Sequence, residues 1–459
     1  MWWRVLGVGK SLRDFGFAAT AWEWALTVIP YGIMRPLFTC NENAYREWIV
    51  QRNHRQRVTP KVPPSSCRIV LYIGQLGPGG SERQLCNLAC GLRAKGHEVT
   101  VLSASRLKGK NAHYVPALQA AGIPVRQASC VVSDHGAQRN KIPVEPRFAR
   151  SYVHRLSDEL RQLRPDVLHC WLDTTNIYGG MAGVASDIDR IVLSGRSLNP
   201  THFPTLMHTW MHTWYRILLS DERTVMTNNS LVGGTDYAQW LGIPPEKIAV
   251  VYNGLSNAPR AYEREAGVAF KASLGMRKQS PLLGGFFRLS EEKCPLDFLR
   301  VLREVRDHVP DAAAVLVGDG PLADVVDRTV DELRLGDAVK RLPHVFDVAP
   351  IIAACDVILL TSRAEGTPNV LMEAQSAGVP VVATRAGGIC ETVAPTGRRY
   401  LCDVHDIPGL AARVVALLQN VDMRTQEGRE AKVWVESTFS QDRMVAEYEQ
   451  LYLRGVQSS

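Results

Sequence analysis

Glu365 and Glu373, with seven residues between them, lie in the stretch Asp356–Thr384, DVILLTSRAEGTPNVLMEAQSAGVPVVAT. A Gly-Thr-Pro turn begins at Gly366, and the segment Pro368–Ala377 after it reads as a short helix. The first N–H groups of such a helix, on Asn369, Val370 and Leu371, have no acceptor within it. With the helix dipole behind them they make an anion site. Carboxylates on either side accept hydroxyl donors. A ligand carrying both phosphate and hydroxyls, such as a nucleotide-sugar, would satisfy the whole arrangement. The plainer alternative is two surface carboxylates with no shared task.

A second group of charges lies upstream in FFRLSEEKCP, where Arg288 and Lys293 follow an apolar run. An arginine fork beside a lysine point charge is a clamp for a diphosphate. Two charge-assisted bonds of roughly 1.5–3 kcal/mol each would supply much of the binding and leaving-group stabilisation. The alternative is a solvated loop in which these cations pair with Glu291 and Glu292.

The elements that must position these groups are apolar runs rich in β-branched residues. Val357–Leu360 and Val379–Ala383 read as buried parallel strands on either side of the short helix. Leu282–Phe287 reads as the strand that delivers Arg288 and Lys293, and Pro295–Val309 as the helix after it. In a doubly wound sheet, ligands bind at the carboxyl ends of strands. The first half of the chain repeats the pattern. Arg68–Gly74 is a strand that runs into the Gly-rich QLGPGGSE and a helix. Glu98–Ser103, Arg164–His169 and Arg190–Ser194 are further strands, and Arg150–Leu163 is an amphipathic helix.

With these elements in place, the string EGTPNVLMEA followed by SAGVPVVATRAGG closely resembles the donor-binding signature of the retaining family 4 glycosyltransferases. The resemblance runs from about Cys67 to Val445. It includes Gly79-Gly80-Ser81-Glu82-Arg83, the stretch Pro165–His169, the Asn253-Gly254 turn, and Val317-Gly318-Asp319-Gly320. It includes the Arg288-Leu-x3-Lys293 element too, with Phe287 where relatives have glycine. It implies an α/β fold of two facing Rossmann-like domains, the B-type glycosyltransferase fold. The expected boundaries are an N-terminal helical extension over 1–65, an acceptor domain over 66–255, a nucleotide-sugar domain over 256–435, and a C-terminal helix over 436–459 crossing back to the first domain. It further implies that Glu365 holds the donor sugar, Glu373 the ribose, and Arg288, Lys293, Gly366, Asn369 and Val370 the diphosphate. Gly80 would allow close approach of the phosphate, and Gly79, His169, Asp173 and Arg196 would face the acceptor. Arg196 stands where many relatives have a histidine. His169 and Asp173 have structural alternatives as ordinary strand-end and loop residues, and so does Trp171 as a sugar-stacking group.

Composition sets the outer bounds. The chain has 459 residues, 22% charged and 46% hydrophobic, with a net charge of +7. That is globular and mildly basic, without the basic clustering of a nucleic-acid binder. The ten cysteines show no Cys-x2-Cys spacing, which argues against a zinc ribbon or disulfide framework. His208 and His212 share a helix face, but no glutamate lies between them as in His-Glu-x2-His. Residues 1–65 are Trp-rich and basic, readable either as an interfacial anchor on an anionic membrane or as helices packed on the domains. Trp210 and Trp214 in the apolar Thr205–Leu219 run suggest proximity to a lipid-linked acceptor, or plain burial.

The expected activity is metal-independent, retaining hexosyl transfer from a UDP- or GDP-sugar to a glycan or lipid-linked acceptor in cell-surface polysaccharide synthesis. The expected location is the cytoplasm, peripheral to the membrane, with no cofactor and no nucleic-acid partner. A nucleotide-sugar epimerase of the same fold and a non-catalytic sugar-nucleotide-binding subunit are the alternatives. The first would need acid–base groups around the sugar, and the second would bind without turnover.

Overall fold

The computed structural model describes residues 47, 49, 66–128, 147–204, 206–208, 210–256, 264–275, 280–343, 345 and 347–453. The Trp-rich stretch over 1–65, apart from 47 and 49, lies outside the described residues, and so does the membrane contact expected of it. The chain forms two compact units. One comprises residues up to Asn228, then Gly234–Val250 and Val445 onward; the other comprises Asn229–Gly233 and Val251–Met444.

The first unit is a seven-stranded parallel sheet. Its strands are β1 (Arg68–Ile73), β2 (Glu98–Ser103), β3 (Val125–Gln127), β4 (Val167–Trp171), β5 (Arg190–Gly195), β6 (Thr224–Asn228) and β7 (Ile248–Val250), in the order β3-β2-β1-β4-β5-β6-β7. Helix α1 (Gly80–Ala94) follows β1, α2 (Arg147–Leu163) precedes β4, α3 (Asp173–Ala185) follows β4, and α4 (Met211–Leu218) precedes β6. Both faces of the sheet are covered, so its strands read as continuous apolar runs rather than alternating ones. Val153, Leu156 and Leu160, at helical spacing on α2, are buried. Trp210, Met211, Trp214, Tyr215, Ile217 and Leu218 are buried in the same core. The apolar run around α4 is therefore core, and the suggestion that Trp210 and Trp214 face a lipid-linked acceptor is corrected. His208 stacks on Trp210, while Nε2 of His212 bonds the Trp240 carbonyl at 3.1 Å, so the two histidines form no metal pair.

The second unit is a six-stranded parallel sheet with the order β10-β9-β8-β11-β12-β13. The strands are β8 (Leu282–Phe286), β9 (Ala313–Val317), β10 (Val339–Leu342), β11 (Val357–Leu360), β12 (Val381–Thr384) and β13 (Leu401–Cys402). Helix α5 (Pro295–His308) follows β8, and α6 (Asn369–Ser376) joins β11 to β12. Phe298 of α5 is fully buried; a side chain of that kind contributes about 1.5–3 kcal/mol by leaving water. β12 begins two residues later than the sequence suggests, after Pro380, which has no N–H for a ladder. Both units are thus Rossmann-like.

In each sheet the winding direction reverses once, between β1 and β4 in the first unit and between β8 and β11 in the second. At such a switch point the loops after the two central strands part and leave a crevice for ligand. The loop after β8 carries Arg288 and Lys293, and the loop after β11 carries Glu365. The loop after β1 carries Gly79, and Asp173 follows β4. Among the described residues, no helix is long and apolar enough to cross a membrane.

Candidate functional site

In the second unit the two loops at the switch point are tied together. The Thr361 hydroxyl donates to the carbonyls of Lys293 at 3.1 Å and Cys294 at 3.0 Å. The Arg363 N–H donates to the Glu292 carbonyl at 2.8 Å. Two glycines set the depth of these loops. A Cβ on Gly318, at φ +149°, would lie 2.0 Å from the Phe287 carbonyl oxygen, and one on Gly387, at φ +53°, would lie 2.0 Å from that of Glu365. Only glycine permits this backbone-on-backbone approach.

The tie brings Lys293 and Glu365 together. Lys293 Nζ donates to Glu365 Oε1 at 2.6 Å, and the Ser362 hydroxyl donates to the same oxygen at 2.7 Å. Glu365 is 7% exposed, yet its Oε2 accepts no hydrogen bond among the described residues. One oxygen is fixed and the other is available. An ammonium has three donors, so Lys293 keeps capacity for a second partner. Arg288 is exposed, and its guanidinium has no partner among the described residues.

Next to this pair is the start of α6. The Asn253 side-chain amide donates to the Thr367 carbonyl and to Asn369 Oδ1, each at 2.8 Å, which holds the turn into the helix. The Val370 N–H has no acceptor among the described residues. Leu371 differs from expectation: its N–H donates to the Pro368 carbonyl at 3.1 Å, a tight first turn that removes it from the free set. Glu373 lies one turn into α6 and is buried. Gly366 is buried in the loop, with Gly388 packed against its carbonyl.

The polar groups at the first unit's switch point are arranged differently. His169 is completely buried. Its Nδ1 bonds the Tyr452 hydroxyl and its Nε2 the Ser194 hydroxyl, both at 2.7 Å, and Ser194 in turn bonds Thr227 at 2.6 Å. Burial, with Arg196 nearby, holds its imidazole well below the usual histidine range. The expectation that His169 faces the acceptor is therefore corrected, since both ring nitrogens are used inside the unit. Trp171 is fully buried as well, which removes it as a sugar-stacking platform. The Arg196 guanidinium is buried as well: it lies 4.3 Å over the Trp171 ring and donates to the Tyr448 hydroxyl at 3.2 Å, so the expectation that it faces the acceptor is corrected. Asp173 is half-buried. Its Oδ1 accepts from Tyr215 at 2.7 Å and Tyr237 at 2.6 Å, and burial raises its carboxyl above the usual range despite those bonds.

The Gly-rich turn after β1 holds its own anion. Gly80 is exposed at the first helical position of α1, and Gly79 is the residue before it. The Glu82 carboxylate folds back so far that a Cβ on Gly79 would lie 2.0 Å from its Oε2. Gln75 donates to Glu82 at 3.5 Å, and burial raises the carboxyl above its ordinary value.

Several of these partners were not singled out in the sequence. Ser362 and Thr361 sit three and four residues before Glu365, where a hydroxyl pair at a strand end was the available signal. Tyr448 and Tyr452 recur at helical spacing on the C-terminal helix Gln441–Leu453, but nothing in that spacing points to His169 or Arg196.

Comparison with known proteins agrees with this architecture. A family described as "Glycosyl transferases group 1" matches residues 281–420, and "Glycosyltransferase Family 4" matches residues 78–257. The Vi polysaccharide biosynthesis protein VipC/TviE of Salmonella typhi is 26% identical over 424 residues, 86% of this chain and 73% of that protein. The N-acetyl-alpha-D-glucosaminyl L-malate synthase of Bacillus anthracis is 31% identical over 209 residues, 46% of this chain and 54% of that enzyme. Among solved structures, Anabaena HepE in complex with UDP and glucose superposes with a TM-score of 0.69 at 20% identity, covering 84% of this chain and 98% of that one. The fold is that of the B-type glycosyltransferases, and the chain belongs to the group 1, family 4 glycosyltransferases.

Proposed function

We propose that this enzyme transfers a hexose from a nucleoside-diphosphate sugar to a glycan or lipid-linked acceptor, with retention and without a metal at the donor. The observation that carries the reading is the Glu365 carboxylate, one oxygen pinned by Lys293 and Ser362 and the other unclaimed. Oε2 would accept a hydroxyl of the donor sugar. Lys293, already oriented by Glu365, would turn its remaining donors to the diphosphate. Arg288 would supply the second cation, and the N–H groups of Asn369 and Val370 would meet the phosphate at the start of α6. Glu373 would hold the ribose. Lys293, held by Glu365, and the exposed Arg288 would neutralise charge growing on the leaving diphosphate, the task a divalent ion performs elsewhere. The departing phosphate would take the proton of the attacking hydroxyl, so that entry and departure occur on one face. Gly80 would allow close approach of the donor phosphate, and Gly79 and Asp173 would belong to the acceptor side.

The polysaccharide role of the Salmonella relative supports a cell-surface glycan as product; its synthesis would take place at the cytoplasmic membrane face. UDP is the first nucleotide to test, as the one held by HepE. Release of UDP or GDP from a panel of nucleotide-sugars, in EDTA, would be measured for wild type and Glu365→Ala. EDTA-resistant release from one donor, lost in the variant, is the expected result. Release that needs a divalent ion would overturn metal independence. Anomeric configuration of the product, read by NMR, tests retention.

A further inference from the structure

One residue beyond Lys293, three side chains with different donor atoms converge within the second unit. Cys294 ends the loop after β8, Asp297 lies in the first turn of α5, and His405 follows β13. The Cys294 sulfur, an Asp297 carboxylate oxygen and a His405 ring nitrogen all lie within 4.8 Å of one another. Asp297 is buried, Cys294 is half-buried and His405 is exposed, so the group has a floor and an opening. His405 Nδ1 lies 2.6 Å from Asp297 Oδ2, and Arg300 donates to Asp297 Oδ1 at 2.8 Å. Cys294 and His405 both adopt left-handed backbone, at φ +48° and +68°. That conformation costs an ordinary residue roughly 1–2 kcal/mol. The Cys294 thiol donates to the Glu291 carbonyl at 3.4 Å, a bond the sulfur gives up on binding a metal, and the Cys294 carbonyl accepts the Asp297 N–H at 3.0 Å, so the turn holds the sulfur beside Asp297.

We propose that Cys294, Asp297 and His405 bind one divalent cation of the zinc class, with water as the fourth ligand. Sulfur, nitrogen and oxygen donors together are the set that zinc accepts, whereas magnesium and calcium avoid thiolate. Bonds of about 2.0–2.1 Å at the tetrahedral angle place nitrogen and oxygen about 3.3 Å apart. The His405–Asp297 contact must therefore open, which an exposed imidazole can do. Arg300 stays on the other carboxylate oxygen and holds the ligand in place. Binding forms a thiolate–metal bond and releases the thiol proton to solvent, with no change of oxidation state. The site lies beside the donor loop without holding it: the Thr361 hydroxyl bonds the carbonyls of both Lys293 and Cys294, so the turn that carries Lys293 is tied without the cation.

The test is binding, independent of catalysis. Full-length, tag-free, reduced protein is stripped with a chelator, then titrated with Zn2+ and with Co2+. Wild type should retain one more equivalent of zinc after gel filtration than the Cys294→Ser/His405→Gln variant. Its cobalt adduct should show a thiolate-to-metal charge-transfer band that the variant lacks, and excess Mg2+ should displace neither metal. Equal zinc retention by wild type and variant, or a cobalt adduct without the thiolate band, would overturn the site. His405→Gln alone, at an exposed position, keeps the comparison available if Cys294→Ser does not fold; it should weaken zinc binding at least tenfold, and unchanged affinity would count against the site.

Discussion

The two switch points of this molecule hold similar chemistry in opposite states. In the first unit, His169 has both nitrogens bonded inside the unit, Arg196 is stacked on Trp171, and Glu82 fills the start of its own helix. In the second unit, Glu365 keeps an unclaimed oxygen, Arg288 is exposed, and the Val370 N–H has no acceptor among the described residues. Position at the carboxyl end of a central strand is common to both. What separates the His169–Ser194–Thr227 chain from Glu365 is unused hydrogen-bonding capacity. A buried polar network whose members are all satisfied rigidifies a fold. One that keeps unused acceptor and donor capacity is prepared for a ligand.

The largest expected effect breaks the open side. Glu365→Gln keeps a carbonyl oxygen for Lys293 and Ser362, so the loops should stay tied, but it removes the negative charge and the strong acceptor from the donor sugar. Donor turnover should fall by about 10²–10³. Nucleotide affinity should hold or tighten, because the carboxylate no longer competes with phosphate for Lys293. Steady-state kinetics and calorimetry with UDP would check both arms. Weaker UDP binding together with the lost turnover would mean that Glu365 shapes the phosphate site instead.

The closed side should answer to pH rather than to substrate. The His169 imidazole is held well below its ordinary value of 6.5, chiefly by burial and then by Arg196, so it is neutral when folded. The unfolded chain protonates it below about pH 6.5, so there the unfolded state binds the extra proton. Stability is therefore full above that pH and is lost as pH falls, at up to about 1.4 kcal/mol per pH unit from this group. His169→Gln should be less stable than wild type near neutrality, yet lose less on acidification. Donor hydrolysis should be unchanged, since both His169 nitrogens are taken up by Tyr452 and Ser194. Parallel denaturation curves at each pH for the two proteins would remove His169 as the source of acid sensitivity.

The same contrast explains how much of the molecule is legible in the sequence. Val357–Leu360 reads as a strand because parallel strands covered on both faces are continuous β-branched runs, and the structure places the strand at those residues. Lys293 and Glu365 could each be named, but not their pairing. They are 72 residues apart, and only the strand order β8-β11 and the Thr361 tie make them neighbours. The burial of His169 was illegible for a stronger version of that reason: its Tyr452 partner lies 283 residues away. Leu371 shows a local failure. A helix start is legible here, but whether its first turn tightens toward the Pro368 carbonyl is settled by geometry that composition does not carry.

The smallest effect gives the sharpest comparison, because it deletes one hydroxyl from each side. Ser362→Ala removes one of two donors to Glu365 Oε1, and Tyr452→Phe removes the hydroxyl bonded to His169 Nδ1. Each should cost about 0.5–1.5 kcal/mol of stability, the net worth of one hydrogen bond. Their effects on donor turnover should differ. Without Ser362, Glu365 is held by Lys293 alone and can swing with it, so Oε2 is less often aligned; a misalignment worth about 1 kcal/mol in the transition state lowers kcat about fivefold. Without the Tyr452 hydroxyl, a neutral buried imidazole loses one partner and nothing in the donor site moves. Equal turnover in the two variants, at equal loss of stability, would mean that the free oxygen of Glu365 is not what distinguishes the open switch point from the closed one.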